Sequence, residues 1–208
     1  MQIRKIDDKL HLIGIDLAGR PERPTGWALL KEKWVVVKEL YSDDEILFAT
    51  INAKPALVAI DAPLTLPEHG AIRKADQEMH RRGYHVLPPL FRAMKELTLR
   101  AIHLTEELKV EKIKVIEVHP TSTRKALQMP LKDWHKIQKI FEEMGLSNQW
   151  KKRLFSPHEL DAITAAITAH LHTKGKTESI GEPKEGFIIV PAPMHWKEIR
   201  QILHTKTA

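Results

Sequence analysis

The segment His-Leu-Ile-Gly-Ile-Asp-Leu at residues 11–17 joins a short apolar run to a carboxylate at its end. Short apolar runs are typical of buried strands, in which an unpaired charge has no packing role. Leu-Val-Ala-Ile-Asp at residues 57–61 repeats the pattern, and Val-Ile-Glu-Val-His-Pro at residues 115–120 places a third acid in a strand. Because sites in α/β sheets form at the ends of central strands, these segments predict both a sheet and a site.

The three strand acids are Asp16, Asp61 and Glu117. If the first and fourth strands are neighbours, Asp16 and Asp61 fall side by side, while strand alternation turns Glu117 to the same face as His119. Carboxylates brought together in this way can hold hard divalent cations, because Mg²⁺ prefers oxygen ligands. The leading hypothesis is therefore metal-assisted phosphoester chemistry.

A fourth acid, Asp161, lies in a predicted helix. The segment Ser156-Pro-His-Glu159 has the capping-box pattern, with a proline at the first helical position, so Asp161 falls in the second turn. Small residues on this helix would let it pack close to the sheet: Ala162, Ala165, Ala166 and Ala169. A simpler interpretation is that Asp161 is an early-helix acid stabilised by the helix dipole. The presence of the three strand acids favours the interpretation that Asp161 belongs to the same site.

The order of the predicted elements defines a mixed α/β domain with helices on both faces of one sheet. Strands are predicted at residues 11–17, 27–30, 34–41, 56–61, 113–118 and 186–190. Helices are predicted between Ser42 and Pro55 and at residues 71–82, 90–108, 121–127, 133–144, 157–172 and 196–204. Two successive hairpins make the first three strands antiparallel, and the helix that follows returns the fourth strand parallel to a neighbour.

Length and composition predict a single domain over residues 1–208, with an insertion at about 62–112 and a strand–helix extension at about 178–208. The chain has 0 cysteines, which excludes disulfides and thiolate metal sites. No apolar run approaches the ~18–20 residues that span a bilayer, and no signal-peptide core is present, so a cytoplasmic protein without a membrane partner is expected. The net charge of +6 and pI of 9.4 fit a nucleic-acid partner or a generic basic surface.

Several basic residues are candidates for contact with a substrate phosphate. Arg73 lies one helical turn before Asp76 and could bind a phosphate or form an exposed ion pair with that acid. His119 follows Glu117 on the same strand face, as a general base, a phosphate contact or a packing residue. Two charge runs are either nucleic-acid contacts or solvated faces: Arg81-Arg82 and Lys151-Lys152-Arg153.

Four motifs together resemble the domain-of-unknown-function 429 family, usually described as predicted nucleases of the RNase H-like fold. In chain order they are Ile-Gly-Ile-Asp-Leu-Ala-Gly, Val-Ala-Ile-Asp-Ala-Pro-Leu, Val-Ile-Glu-Val-His-Pro and His-Glu-Leu-Asp-Ala-Ile-Thr-Ala-Ala. The resemblance runs from about residue 11 to residue 172. It implies an RNase H-like mixed five-stranded sheet whose first three strands are antiparallel, with helices on both faces.

Members of the wider fold, such as RNase H, Holliday-junction resolvases and transposases, use clustered acids to hold two divalent metal ions. Carried over to this sequence, the resemblance implies that two Mg²⁺ or Mn²⁺ ions are bound by Asp16, Asp61, Glu117 and Asp161. Asp16 would bridge both ions, and the other acids would each hold one ion or orient its waters. The implied activity is a two-metal hydrolysis of nucleic-acid phosphodiesters.

Two other classes of function are compatible with these residues. One is a non-catalytic nucleic-acid-binding or scaffold protein, since a fold does not establish a function. The other is an actin- or sugar-kinase-like phosphotransferase, which Asp16-Leu-Ala-Gly19 suggests, although such enzymes need two similar lobes. Nucleic-acid binding without metal-dependent turnover would favour the first, and ATP-dependent thermal stabilisation would favour the second. The identity of the nucleic acid and the oligomeric state stay open, although a two-fold substrate would suit a dimer.

Overall fold

The computed structural model describes residues 10–147 and 153–204, which form one mixed β-sheet with helices on both faces. The strands are β1 His11–Asp16, β2 Thr25–Lys31, β3 Trp34–Leu40, β4 Leu57–Ile60, β5 Val115–Val118, β6 Thr177–Glu182 and β7 Gly186–Pro191. The helices are α1 Asp43–Asn52, α2 Lys74–Arg81, α3 Lys95–Val110, α4 Pro120–Ala126, α5 Trp134–Glu143, α6 Pro157–Thr173 and α7 Ile199–His204. A short 3₁₀ helix, Trp196–Glu198, leads into α7.

The strand order across the sheet is β3-β2-β1-β4-β5-β7-β6. The first three strands pair antiparallel, whereas β1, β4 and β5 are parallel neighbours. This confirms the RNase H-like arrangement that the sequence predicts for the first five strands. As a result, the carboxyl ends of β1, β4 and β5 meet at one edge of the sheet.

The sheet has seven strands rather than the five predicted, because a hairpin extends it beyond β5. β7 runs parallel to β5, and β6 pairs antiparallel with β7 at the edge. The strand predicted at residues 186–190 is therefore confirmed, whereas β6 is an addition. The β6 sequence, Thr-Glu-Ser-Ile-Gly-Glu, buries only Ile180, so it lacks the alternation that marks a half-buried strand.

The segment between β4 and β5 contributes α2 and α3, and both helices begin later than predicted. α2 begins at Lys74 rather than at residue 71, and α3 begins at Lys95 rather than at residue 90. Residues 90–94 form turns instead of the first turn of the helix. The Phe91 N–H donates to the Pro88 carbonyl oxygen at 3.1 Å.

α6 packs directly on β1 and β2. A Cβ atom at Gly14 would lie 2.0 Å from the Ala162 carbonyl oxygen, and one at Gly26 would lie 2.0 Å from the His158 carbonyl oxygen. Glycine is therefore required where the helix crosses these strands. The contact holds the first turns of α6, including Asp161, over the carboxyl end of β1. The close approach expected from the alanines of this helix is confirmed.

Two hydrophobic clusters cover the two faces of the sheet. One includes Phe141 of α5 and Ile163 of α6, and the other includes Ile46 of α1 and Leu104 of α3. The helical layers on both faces are thus as predicted. Over residues 10–147 and 153–204, no helix has the length and apolar character to cross a membrane.

Candidate active site

Three of the four acids line one cleft at the carboxyl edge of the sheet. Asp16 ends β1, and Asp61 follows β4, with the Asp61 N–H donating to the Ile15 carbonyl oxygen at 2.8 Å. In the parallel register Ile60 pairs with Glu117, so Glu117 lies one residue deeper in the sheet than Asp61. The cleft has a volume of about 330 Å³ and is lined by Asp16, Asp61 and Glu117 among others.

Asp161 approaches the same edge from α6, and its charge acts on Asp61. Burial raises the pKa of Asp61 well above its usual value, and the charges of Asp16 and Asp161 raise it further. Burial also raises the pKa of Asp161 to about 6, against the opposing charge of Arg124. The aspartates therefore repel one another across a partly desolvated space.

Two of these aspartates have a basic partner. The imidazole Nδ1 of His158 lies 2.7 Å from Asp16 Oδ2, and this contact raises the pKa of His158. The buried guanidinium of Arg124 donates to Asp161 Oδ1. Within the described ranges, no side chain or backbone group donates a hydrogen bond to the Asp61 carboxylate. Asp61 is therefore the acid of this group whose charge is least compensated.

Glu117 is paired with a second buried arginine, Arg73. The Arg73 Nη1 and Nη2 atoms lie 2.7 and 2.6 Å from the two carboxylate oxygens of Glu117. Nη2 and Nε also donate to Asp76, and Nη1 donates to the Thr65 hydroxyl. A guanidinium has five N–H donors, so every donor of Arg73 has a protein acceptor. Burial raises the pKa of Glu117, and the two bonds from Arg73 oppose that rise.

The environment of Arg73 corrects one prediction. The alternative of an exposed Arg73–Asp76 ion pair is wrong, because the two side chains are 0% and 1% exposed. Contact between Arg73 and a substrate phosphate stays a prediction, and it would require the guanidinium to leave Glu117, Asp76 or Thr65.

The other basic candidates lie on the surface. Arg81 pairs with Glu78 at 2.6 Å, and Arg82 contacts both Glu78 and Glu178 of β6. Their contact with nucleic acid stays a prediction. Lys151 and Lys152 lie outside the described residues. The third member of that run, Arg153, pairs with Glu159, which also accepts the Ser156 N–H as the capping box predicts.

His119 lines the cleft and caps α4. Its Nδ1 accepts the backbone N–H of Ser122 at 3.3 Å and lies 2.7 Å from the Ser122 hydroxyl. Burial and the charge of Arg124 lower the pKa of His119 to about 4, so the ring is neutral at pH 7. With Nδ1 accepting from Ser122, the Nε2–H of the neutral ring could donate to a phosphate oxygen, and the general base remains the other predicted role. Both roles stay predictions.

Sequence reasoning assigned no role to two residues that contact the acids, His158 and Arg124. His158 precedes Asp161 by three positions in one helix, and this i, i+3 spacing places the two side chains on neighbouring parts of the same face. That spacing was a usable signal. No local pattern pointed to Arg124, because its contact with Asp161 joins two different helices and residues 37 positions apart.

The donor set fits a divalent cation at the aspartates but not at Glu117. Asp16, Asp61 and Asp161 supply hard oxygen ligands, and a cation would relieve the repulsion among them. Both oxygens of Glu117 are instead taken up by Arg73. With the side chains as they stand in residues 10–147 and 153–204, no three or more histidines and acids are grouped to hold a metal ion. Metal binding would therefore require Asp16 or Asp161 to exchange its basic partner for the cation.

The repulsion among the aspartates predicts how a substitution of Asp61 changes the stability of the metal-free protein. Asp61→Asn is expected to raise the free energy of unfolding at pH 8 by about 1–2 kcal/mol, because it removes a carboxylate whose ionisation opposes folding. A raised folded-state pKa means that this penalty is fully present above the folded pKa and absent below the unfolded value of ~3.9. Thermal unfolding in EDTA should therefore show a gain at pH 8 that disappears near pH 4. A loss of stability at pH 8 would contradict this account.

The fold and the acid-lined edge define an RNase H-like α/β domain. The family model described as "Protein of unknown function (DUF429)" matches residues 14–186. The chain belongs to this family, as the four sequence motifs predict.

Known structures with a similar chain course are distant in sequence. T. thermophilus RuvC in complex with a Holliday junction substrate shares 13% identity at a TM-score of 0.49, covering 80% of this chain and 97% of that one. A second Thermus thermophilus RuvC structure gives the same values. The nuclease domain of the large terminase subunit gp2 of bacterial virus Sf6 shares 9% identity at a TM-score of 0.34, covering 95% and 89%. No curated protein matches the chain.

Proposed function

We propose that this protein is a divalent-metal-dependent nuclease that hydrolyses nucleic-acid phosphodiesters at the carboxyl edge of its sheet. The observation that carries the proposal is that Asp16 and Asp61 line one cleft, where the charges of Asp16 and Asp161 add to the burial that raises the pKa of Asp61. Clustered carboxylates that repel one another destabilise a fold unless a cation joins them. A protein that only needed a stable domain would have no reason to place these acids together.

The residues of the cleft divide into ligands and supporting groups. Asp16, Asp61 and Asp161 would hold Mg²⁺ or Mn²⁺, which supplies Lewis-acid activation of water and charge neutralisation for the phosphate. In the metal-free protein His158 holds Asp16 by the 2.7 Å contact, and the cation would take the place of this imidazole. The Nε2–H of neutral His119 is available to a phosphate oxygen at the same cleft.

Nucleic acid is the substrate class favoured by the segment between α2 and α3. His85 and Leu87 of this segment line the cleft, and Phe91 is 47% exposed close by in sequence. Arg92 and Lys95 are exposed, and no carboxylate in the described ranges pairs with either of them. Cations that bind phosphates and aromatic rings that stack on bases are the two components of single-strand recognition. The net charge of +6 points the same way.

The test is a cleavage assay on a panel of labelled DNA and RNA substrates: single strands, duplexes, flaps and four-way junctions. Each is incubated with Mg²⁺, Mn²⁺ or EDTA, with wild type beside Asp16→Asn. The expected result is cleavage of at least one substrate with metal, none in EDTA and none by the variant. Cleavage that EDTA leaves intact, or that Asp16→Asn retains in full, would show a contaminating or metal-independent activity.

A non-catalytic nucleic-acid-binding protein is the second candidate. The observation in its favour is that Glu117 and Asp161 are both neutralised by buried arginines, Arg73 and Arg124. On this alternative the acids hold the domain together and the basic surface binds nucleic acid. Binding that is unaffected by EDTA, with no cleavage of any substrate in the panel, would favour it over the nuclease.

A further inference from the structure

We propose that the cleft binds one divalent cation rather than two, and that Glu117 is not a ligand but the anchor of Arg73. This inference rests on the proposed metal site and departs from the ligand set implied by the family resemblance. Its basis is the arrangement of hydrogen bonds around Glu117, which is buried with 6% of its side chain exposed.

The lone pairs of Glu117 are largely used by protein donors. Oε2 accepts from Arg73 Nη1 at 2.7 Å and from the Leu64 N–H at 2.9 Å, and Oε1 accepts from Arg73 Nη2 at 2.6 Å. Such a bidentate pair is the strongest arrangement that an arginine and a carboxylate can form. A second cation on Glu117 would have to displace a guanidinium that carries its own full charge.

The Arg73 guanidinium is also held on the side away from Glu117. Asp76 binds the Arg73 guanidinium from the other side, with its oxygens 2.8 and 3.2 Å from Nη2 and Nε. The Arg73 side chain is 0% exposed. Removing Arg73 from Glu117 without a new partner would leave an unpaired buried charge, which is costly. The pair is therefore a fixed part of the cleft wall.

A second set of contacts fixes the loop that carries Arg73. The Glu185 carboxylate, in the turn between β6 and β7, accepts the Glu68 N–H at 2.8 Å and the Lys74 N–H at 2.7 Å. The Thr65 hydroxyl donates to the Glu185 carbonyl oxygen and accepts from Arg73. These bonds hold both ends of the loop against the β6–β7 turn, so Arg73 cannot swing away as a unit with its loop.

Asp16 and Asp61 differ from Glu117 in these respects, whereas Asp161 is also paired with a buried arginine, Arg124. Asp61 has no donor within the described residues, and Asp16 is held by the single contact with His158, a side chain that is 48% exposed. A cation that replaces an exposed imidazole displaces a weaker partner than a buried, doubly bonded guanidinium. The charges and contacts therefore favour the binding of one ion, at Asp16 and Asp61.

The test is calorimetric titration of Mn²⁺ into metal-free wild type, Glu117→Gln and Asp61→Asn, with the electron paramagnetic resonance spectrum of the Mn²⁺-loaded wild type. We expect a stoichiometry of one in wild type and a spectrum without the coupling of a manganese pair. Glu117→Gln should keep that stoichiometry with an affinity loss of no more than about tenfold. Asp61→Asn should lose more than about 100-fold.

The outcomes separate this inference from the proposed function. Two ions per chain in wild type, with one lost in Glu117→Gln or with a coupled manganese spectrum, would overturn the single-ion site and leave a nuclease intact. No Mn²⁺ binding by wild type would overturn both. One bound ion without cleavage of any substrate would support the single-ion site and count against the nuclease. The wild-type stoichiometry and spectrum decide the question even if Glu117→Gln fails to fold.

Discussion

Asp61→Asn is expected to lower the rate of metal-dependent cleavage by about 10³-fold in a protein that remains folded. Asparagine preserves the shape of the side chain but removes the charge that a hard cation requires. Of the aspartates at the cleft, Asp61 is the one without a hydrogen-bond donor in the described residues, so nothing in the protein substitutes for the lost ligand. The measurement is the single-turnover cleavage rate at saturating Mn²⁺ on the best substrate of the panel.

The matched control is Glu111→Gln, which makes the same chemical change on an exposed acid at the end of α3, before β5 begins. It should cleave at the wild-type rate. The same Asp61→Asn preparation should be more stable than wild type in EDTA at pH 8, so a loss of activity cannot be assigned to unfolding. Cleavage within about tenfold of wild type would mean that Asp61 does not bind the catalytic metal ion.

Arg73→Met is expected to lower the free energy of unfolding by about 3–5 kcal/mol. Methionine fills a similar volume but leaves the carboxylates of Glu117 and Asp76 buried without their shared cation. In a chain of this size each kcal/mol corresponds to about 2–4 °C in the midpoint of thermal unfolding. The midpoint should therefore fall by about 10 °C, measured at pH 7 in EDTA.

Two comparisons test the stated cause of that loss. Arg81→Met removes an arginine at the other end of α2, the helix that Arg73 caps. The Arg81 side chain is 73% exposed in its ion pair with Glu78, so the substitution should change stability by less than about 1 kcal/mol. Adding Glu117→Gln to Arg73→Met should recover part of the loss, because one of the unpaired charges is gone. Equal effects of Arg73→Met and Arg81→Met would show that the buried pair contributes no more than a surface one.

The elements that the sequence predicts correctly are those with a strong local signal. β1, β4 and β5 are short apolar runs with few alternatives, and the proline and capping box at residues 156–159 mark the start of α6. β6 was not predicted because it lacks such a signal: an edge strand with one buried side chain has no hydrophobic pattern to detect.

The acids of the site were predictable and their partners were not. A carboxylate at the end of an apolar run is visible in one segment, so Asp16 and Asp61 could be identified individually. The pairing of Glu117 with Arg73 joins residues 44 apart and depends on how the intervening loop folds back over β5. Periodicity carries information about one element at a time, and these contacts arise only when elements from different parts of the chain pack together.

The β6–β7 turn that holds the Arg73 loop also determines when the cleft can form during synthesis. β1, β4 and β5 are translated early, but α6 and the turn with Glu185 follow the last of these strands by about 40–70 residues, and domains fold as their parts emerge from the ribosome. A nascent chain therefore carries Asp16 and Asp61 before Asp161 is present and before the Arg73 loop is fixed. If the protein cleaves RNA, its own messenger is exposed to a complete site only after the segment through β7 has left the ribosome.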